Sequence, residues 1–244
     1  MKTWDIWSNN PDRTISYQQL KKLIQFFPFI RGIGGHHIRY SNNRNGESEK
    51  KYITFVREPI ERYLSHWRHQ RYKMNIDWSI EQFLDEPRFN NNMTRKFSKS
   101  ENIDNAIKVI DNLDFVGVQE DFDASLILMK SKLKLGGKFC LNYKYKNKGI
   151  RKNITDPFND KTLDRIKRNN EKDIVLYNYI LNNIHKRNKA VYKGDLQSEM
   201  QDLKMKKINY KENQVKKIIQ ILSKNILIRP YDYYLNKIQF SKVK

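Results

Sequence analysis

The period of apolar and polar positions changes several times along this chain, most sharply between residues 52 and 71. Tyr52, Ile53, Thr54, Phe55 and Val56 are β-branched or aromatic without a break, which predicts a buried strand of the parallel-sheet kind. Arg57 ends the run. Glu58 and Pro59 then predict a turn into a helix starting at about Pro59, because proline is pre-set for a first helical position and lacks only an amide that would be unpaired there. Along that helix Tyr63, Trp67 and Leu64 form an apolar stripe, which leaves Arg62, Ser65, His66, Arg68 and His69 to face a site or solvent.

Other segments are read the same way. Met1 to Arg13 is polar and turn-rich, with Trp4 and Trp7 as isolated anchors. Ser16 reads as a helix cap, and Tyr17, Leu20, Leu23, Ile24 and Phe27 recur at helical spacing until Pro28. The stretch IRGIGGHHIRY, Ile30 to Tyr40, carries three glycines that permit tight backbone paths, and Ser41 to Lys51 is a polar loop. A short amphipathic helix is expected within Ile76 to Phe83, beginning near Asp77 or Trp78. A helix follows over Ile103 to Leu113, then a short buried strand from Phe115 to Val118. The next helix puts Phe122, Leu126, Met129 and Leu133 on one packing face, with Glu120 and Asp121 at its start, where negative charge complements the dipole. Leu163 to Ile166 and Ile174 to Ile184 are helical. Val215, Ile218, Ile219, Leu222 and Ile226 form a further amphipathic helix, basic on its other side. Tyr231, Tyr233 and Tyr234 are placed to dock on the domain.

The 244 residues suit one α/β domain with a small appendage. Hydrophobic content of 38% with 12% aromatics argues against overall disorder. Forty-eight Lys and Arg against 27 Asp and Glu give a net charge of +21, so an anionic partner is expected: a nucleotide, a sulfated or uronate-bearing glycan, nucleic acid or a membrane surface. No zinc-finger, RNP-like or basic-zipper pattern points to specific nucleic-acid binding. The single cysteine, Cys140, excludes an intrachain disulfide and reads as a small buried hydrophobe, and five scattered histidines offer no metal-ligand spacing. No apolar run reaches the roughly 18 residues of a membrane span, and no signal-peptide core opens the chain. As written the chain is expected to be cytoplasmic, or Golgi or otherwise membrane-associated if a longer eukaryotic-type amino terminus exists.

In open α/β sheets, anions sit where strands end and helices begin. Arg57 at the strand's end and Ser65 about two turns into the helix are placed to converge on one phosphate group, as a guanidinium fork and a hydroxyl donor. The plainer alternative makes Arg57 a strand cap and Ser65 a helix-surface serine.

The pattern RxPxERxxSxxR after an apolar strand resembles the 3′-phosphate-binding segment of sulfotransferases that use 3′-phosphoadenosine 5′-phosphosulfate (PAPS), and more narrowly their carbohydrate, or family 2, branch. Gly35-His36 resembles the glycine–histidine segment that precedes this strand in the family. DFVGVQEDFDASLILMKSKLKL, Asp114 to Leu135, resembles the family's strand ending in Val-Gly, acidic pair and leucine-rich helix. NEKDIVLYNYI resembles its late helix through Asp173, Leu176 and Tyr177. The likeness covers about Ser16 to His185.

The resemblance implies a three-layer P-loop-like sulfotransferase fold of α/β class with a central parallel sheet. It implies a sulfotransferase-like domain over residues 1–190 and a basic helical extension over 191–244. It further implies PAPS as donor without a metal, a carbohydrate hydroxyl as acceptor, His36 as the base, and Arg57 and Ser65 on the cofactor's 3′-phosphate. Basic residues of the KYKNKGIRK loop, chiefly Lys148 and Arg151, with Lys152 beside them, are expected to contact the cofactor or an anionic substrate; a solvated lysine run is the alternative. His36 and His37 are alternatively residues that only bond backbone in a turn. Asn92 and Arg95 of NNNMTRK are cofactor or acceptor contacts by resemblance and a solvated loop otherwise. The family's PKTGGTS-type loop for the 5′-phosphosulfate has no counterpart, so the first strand-loop-helix unit is expected to be missing. Cofactor affinity should accordingly be lower by roughly four decades or more. The competing expectation is a catalytically inactive truncated homologue that binds polyanions.

Overall fold

In a computed structural model of the chain, the described residues are 3–5, 25, 32–34, 51–136, 139, 141, 143 and 158–208. They fall into two units, Met1–Arg44 with Asn209–Lys244 and Asn45–Ile208. In the first unit a strand, β1 (Thr3–Asp5), pairs in parallel with β2 (Gly32–Gly34), in the register Thr3 with Gly32 and Asp5 with Gly34. One expectation is corrected here: the polar amino-terminal stretch contains a strand. A parallel pair needs a crossover connection of about a dozen residues or more, and the 6–31 segment is long enough for one.

The second unit is mostly helical around a parallel pair, β3 (Ile53–Val56) and β4 (Phe115–Val118), in register from Ile53 with Phe115 to Val56 with Val118. Both strands lie where apolar continuity predicts them, and together with the surrounding helices they make this an α/β arrangement. β4 is buried throughout, whereas Ile53 and Phe55 remain 38% and 36% exposed. Burial on both faces, expected for the 52–56 run, therefore holds for β4 and for one face of β3. Gly117 is explained by Phe55: a Cβ on Gly117 would sit 2.4 Å from the Phe55 ring, which also packs 5.1 Å from Phe122. The Val-Gly pair of β4 thus makes room for a neighbouring aromatic ring.

The helix after β3, α1 (Pro59–Arg68), starts at the predicted proline. Pro59, Tyr63, Leu64 and Trp67 are its buried positions, and each large apolar side chain among them is worth about 1.5 to 3 kcal/mol on burial. A π-helical turn over His69–Lys73 continues it. Next comes α2 (Ile80–Leu84), which starts later than expected because Ser79 and Gln82 form a reciprocal capping box. A short 3-10 turn, Pro87–Phe89, leads to α3 (Asn92–Ser98), then α4 (Ile103–Asp111) and β4. After β4 come α5 (Phe122–Lys132), α6 (Asp160–Asn169) and α7 (Glu171–Tyr179). A second π-helical turn (Ile180–His185), α8 (Lys186–Ala190) and α9 (Leu196–Ile208) complete the order.

Three apolar clusters hold the unit. One face of the sheet, through Val56, Val116 and Val118, packs on Met93, Ala106, Ile110, Leu176 and Ile180. The opposite face, through Phe115, packs on Leu128 and Met129 of α5. A helical layer joins Tyr63, Leu64 and Trp67 to Phe83, Phe89 and Ile166. Buried Leu203 of α9 lies beyond the expected 190 boundary yet belongs to this unit. Among the described residues no helix is long and apolar enough to cross a membrane.

Candidate anion-binding site

The carboxyl end of β3 is organised by Glu58. Its side chain accepts the Ile60 amide at 3.1 Å and the Glu61 amide at 2.6 Å, and its carbonyl accepts the Arg62 amide at 2.9 Å. Pro59 has no amide to offer. The first turn of α1 is thereby satisfied from within the chain, so the free amides that a strand-end helix offers to anions are occupied by the protein's own carboxylate. An anion at this junction must be held by side chains.

Arg57 supplies one. Its side chain is 23% exposed and its Nη2 lies 3.4 Å from Glu61 Oε2. Glu61 precedes Ser65 by one turn, about 6 Å of helix rise, so these two share a stripe of α1, and Arg57, just before the helix, reaches its Glu61 end. Ser65 is half-buried and its hydroxyl has no hydrogen-bond partner among the described residues. Of the sequence-predicted pair, Arg57 reaches Glu61, and Ser65 lies one turn further along α1. Glu61 is 55% exposed, and an exposed pair of this kind is worth about 1 kcal/mol or less, so an arriving anion displaces it cheaply.

The junction is braced from β4 and α7. Glu120 Oε1 accepts the Glu58 amide at 2.9 Å, and Tyr177 donates to Glu120 Oε2 at 2.7 Å. Burial pushes the Tyr177 pKa up, with Glu120 adding to it, which keeps the phenol protonated as a donor. Four residues before Tyr177, on the same face of α7, Asp173 is fully buried and accepts the Met93 amide at 2.8 Å and the Thr94 amide at 2.7 Å. It therefore caps α3. The converse contact is made by Asn91, whose Oδ1 accepts the Lys172 amide at 3.0 Å and the Asp173 amide at 3.4 Å at the start of α7. Asn91 sits at φ 44°, a left-handed conformation that asparagine tolerates better than most residues. Asp173 Oδ2 also lies 3.7 Å from Arg62 Nη2, linking this double cap to α1.

Sequence reasoning left Arg62 and His66 facing a site or solvent. Arg62 instead points toward Asp173. His66 packs edge-on against Phe83 and Phe89, with centroids 5.5 and 4.9 Å away, and its Nε2 is 3.2 Å from Gln70 Nε2. Burial, reinforced by the charges of Arg62, Lys96, His69 and Arg88, pushes the His66 pKa down to about 4. The ring is neutral at pH 7 and accepts from Gln70.

Asp121 does not cap its own helix as an acidic residue at that position suggests; it pairs with His185 at 3.0 Å and with Lys189. Burial alone would raise its pKa, but those two partners hold it below the usual carboxylate range. Arg95 donates to the Pro87 carbonyl at 3.0 Å and Asn92 opens α3. His36, Lys148, Arg151 and Cys140 lie outside the described residues. Among the described residues no three His, Cys, Asp or Glu side chains converge as metal ligands.

No family model matches this chain, and a search of curated proteins finds no match. Arg62, Asp173, Glu120 and Asn91 received no role at the site from the sequence. The available signals were the asparagine run before α3, suited to a left-handed cap, and an acidic residue in the first turn of α7.

Proposed function

We propose that this chain is a PAPS-dependent sulfotransferase of carbohydrate type, built on a P-loop-like sulfotransferase fold, in which Arg57 and Ser65 take the 3′-phosphate of the cofactor. The observation that carries the reading is the strand–turn–helix at β3 and α1, with Arg57 at the strand's carboxyl end 3.4 Å from Glu61, which lies one turn before Ser65. The remaining parts rest on the resemblance of the sequence motifs. In the proposed reaction the acceptor hydroxyl attacks sulfur, the bond between sulfur and the bridging phosphate oxygen breaks, and adenosine 3′,5′-bisphosphate leaves. His36 takes the hydroxyl proton, and Lys148 and Arg151 contact the cofactor. Positive donors on the transferred group and the leaving phosphate would supply most of the rate.

The test is twofold. Arg57→Ala should weaken binding of adenosine 3′,5′-bisphosphate at least about tenfold, the equivalent of one lost charge-assisted contact. Unchanged affinity in an NMR or calorimetric titration refutes the assignment. Transfer of labelled sulfate from PAPS to members of a glycan panel would establish turnover. A second reading, an inactive polyanion binder, is favoured by the basic side chains crowding the His66 region, Arg62, Lys96, His69 and Arg88. It predicts steeply salt-dependent heparin binding with no sulfate transfer.

A further inference from the structure

Arg62 receives no ligand from the motif resemblance, yet its surroundings are more demanding than those of Arg57. Its side chain is only 24% exposed, and its nearest carboxylate oxygen, Asp173 Oδ2, is 3.7 Å away, beyond hydrogen-bond distance. Both oxygens of that carboxylate already accept amides, those of Met93 and Thr94. Asp173 therefore supplies charge to Arg62 but no hydrogen bond, and no other described residue is a hydrogen-bond acceptor for its five N–H donors. No Arg62 nitrogen is among the fully buried atoms left unpaired, so these donors are open to solvent and within reach of a ligand. Burial pushes its pKa down, Asp173 pulls it back, and the charge of Arg57 pushes it down again.

The two guanidiniums thus repel each other, and each has donors to spare. Arg57 has a single exposed partner at 3.4 Å. Arg62 and Ser65 are three residues apart on α1 and share a face. We propose that Arg57 and Arg62 together form a two-guanidinium seat for a phosphate monoester dianion, with Ser65 as hydroxyl donor and Asp173 as the positioning residue that holds Arg62 beside it. The inference rests on the reading that Arg57 and Ser65 take a phosphate, and extends it to a second fork. A dianion between the two cations removes their repulsion and gives the solvent-accessible donors of Arg62 a charged acceptor.

The experiment follows the Nε–H resonances of Arg57 and Arg62 in the full chain during titration with inorganic phosphate, then with adenosine 3′,5′-bisphosphate. Both resonances should move with one dissociation constant. Arg62→Lys, which keeps a cation near Asp173 but removes the fork, should weaken phosphate binding about tenfold or more while leaving the thermal midpoint close to the parent's. In Asp173→Asn the phosphate-induced shift of Arg62 should shrink while that of Arg57 persists, an effect loss of stability alone does not produce. A stationary Arg62 resonance, or an Arg62→Lys variant that binds phosphate as the parent does, overturns the two-guanidinium seat; if Arg57 still moves, the simpler Arg57–Ser65 site survives. Bisphosphate that binds no tighter than phosphate while both arginines respond supports the seat and defeats the nucleotide reading. Absence of any response to phosphate overturns both.

Discussion

Replacing Asp173 with alanine removes the acceptor of two buried amides and, among the described residues, the carboxylate paired with Arg62 in one step. The Met93 and Thr94 amides, held at 2.8 and 2.7 Å, each cost about 1 to 3 kcal/mol when left buried and unpaired. The ion pair with Arg62 is longer and partly exposed, and adds about 1 kcal/mol or less. Asp173→Ala should therefore destabilise the protein by about 2 to 7 kcal/mol, a large share of the roughly 5 to 15 kcal/mol of a typical domain. Urea unfolding followed by far-UV circular dichroism measures this directly. Asp173→Asn keeps one carbonyl oxygen for one of the amides and should lose about half as much. Because Asn91 caps α7 while Asp173 caps α3, Asn91→Ala and Asp173→Ala should couple by about 0.5 to 3 kcal/mol in a double-mutant cycle. A loss below about 1 kcal/mol for Asp173→Ala, or strict additivity in the cycle, would refute the double cap as a stabilising unit.

Two more perturbations test the site. The folded pKa of His66, about 4, lies below its ordinary value of 6.5, so between those values the unfolded chain binds more protons. Stability should fall as the pH drops through that window, with His66 alone contributing a loss of about 2.5 kcal/mol by pH 4.5. His66→Gln should flatten that part of the urea-midpoint profile, and an unaltered slope would contradict the assignment. Glu61→Gln releases Arg57 from its exposed pair, so phosphate affinity should rise by up to about fivefold; a fall would show that Glu61 helps to hold the anion instead of competing with it.

The parts of this molecule legible in its sequence are those set by local pattern. The 52–56 and 115–118 runs, the proline start of α1 and its Tyr63–Leu64–Trp67 stripe all follow from periodicity and turn chemistry. Most of what sequence missed depends on partners far along the chain. Glu58 looks like a turn residue but closes the helix start to ligands. Arg62 and His66 count as polar positions on α1, and only the arrival of Asp173, Phe83 and Phe89 turns them inward. β1 is a three-residue strand in a polar stretch, too short for alternation to register. Asp121, at a helix start, answers to His185 and Lys189 rather than to its own amides. For Arg62, His66 and Asp121 a tertiary contact outweighs a local preference.

The mutual capping of α3 and α7 joins positions 80 residues apart in the chain, and that separation governs the order of events during synthesis. A nascent polypeptide that has emerged only as far as α5 carries Arg57, Ser65 and the start of α3, but lacks the carboxylate that closes α3 and the phenol that steadies Glu120. Until the ribosome has released residues through Tyr177, the amides of Met93 and Thr94 must be hydrated and Arg62 has no counter-charge. The proposed anion seat would therefore be assembled late, after most of the second unit has left the exit tunnel.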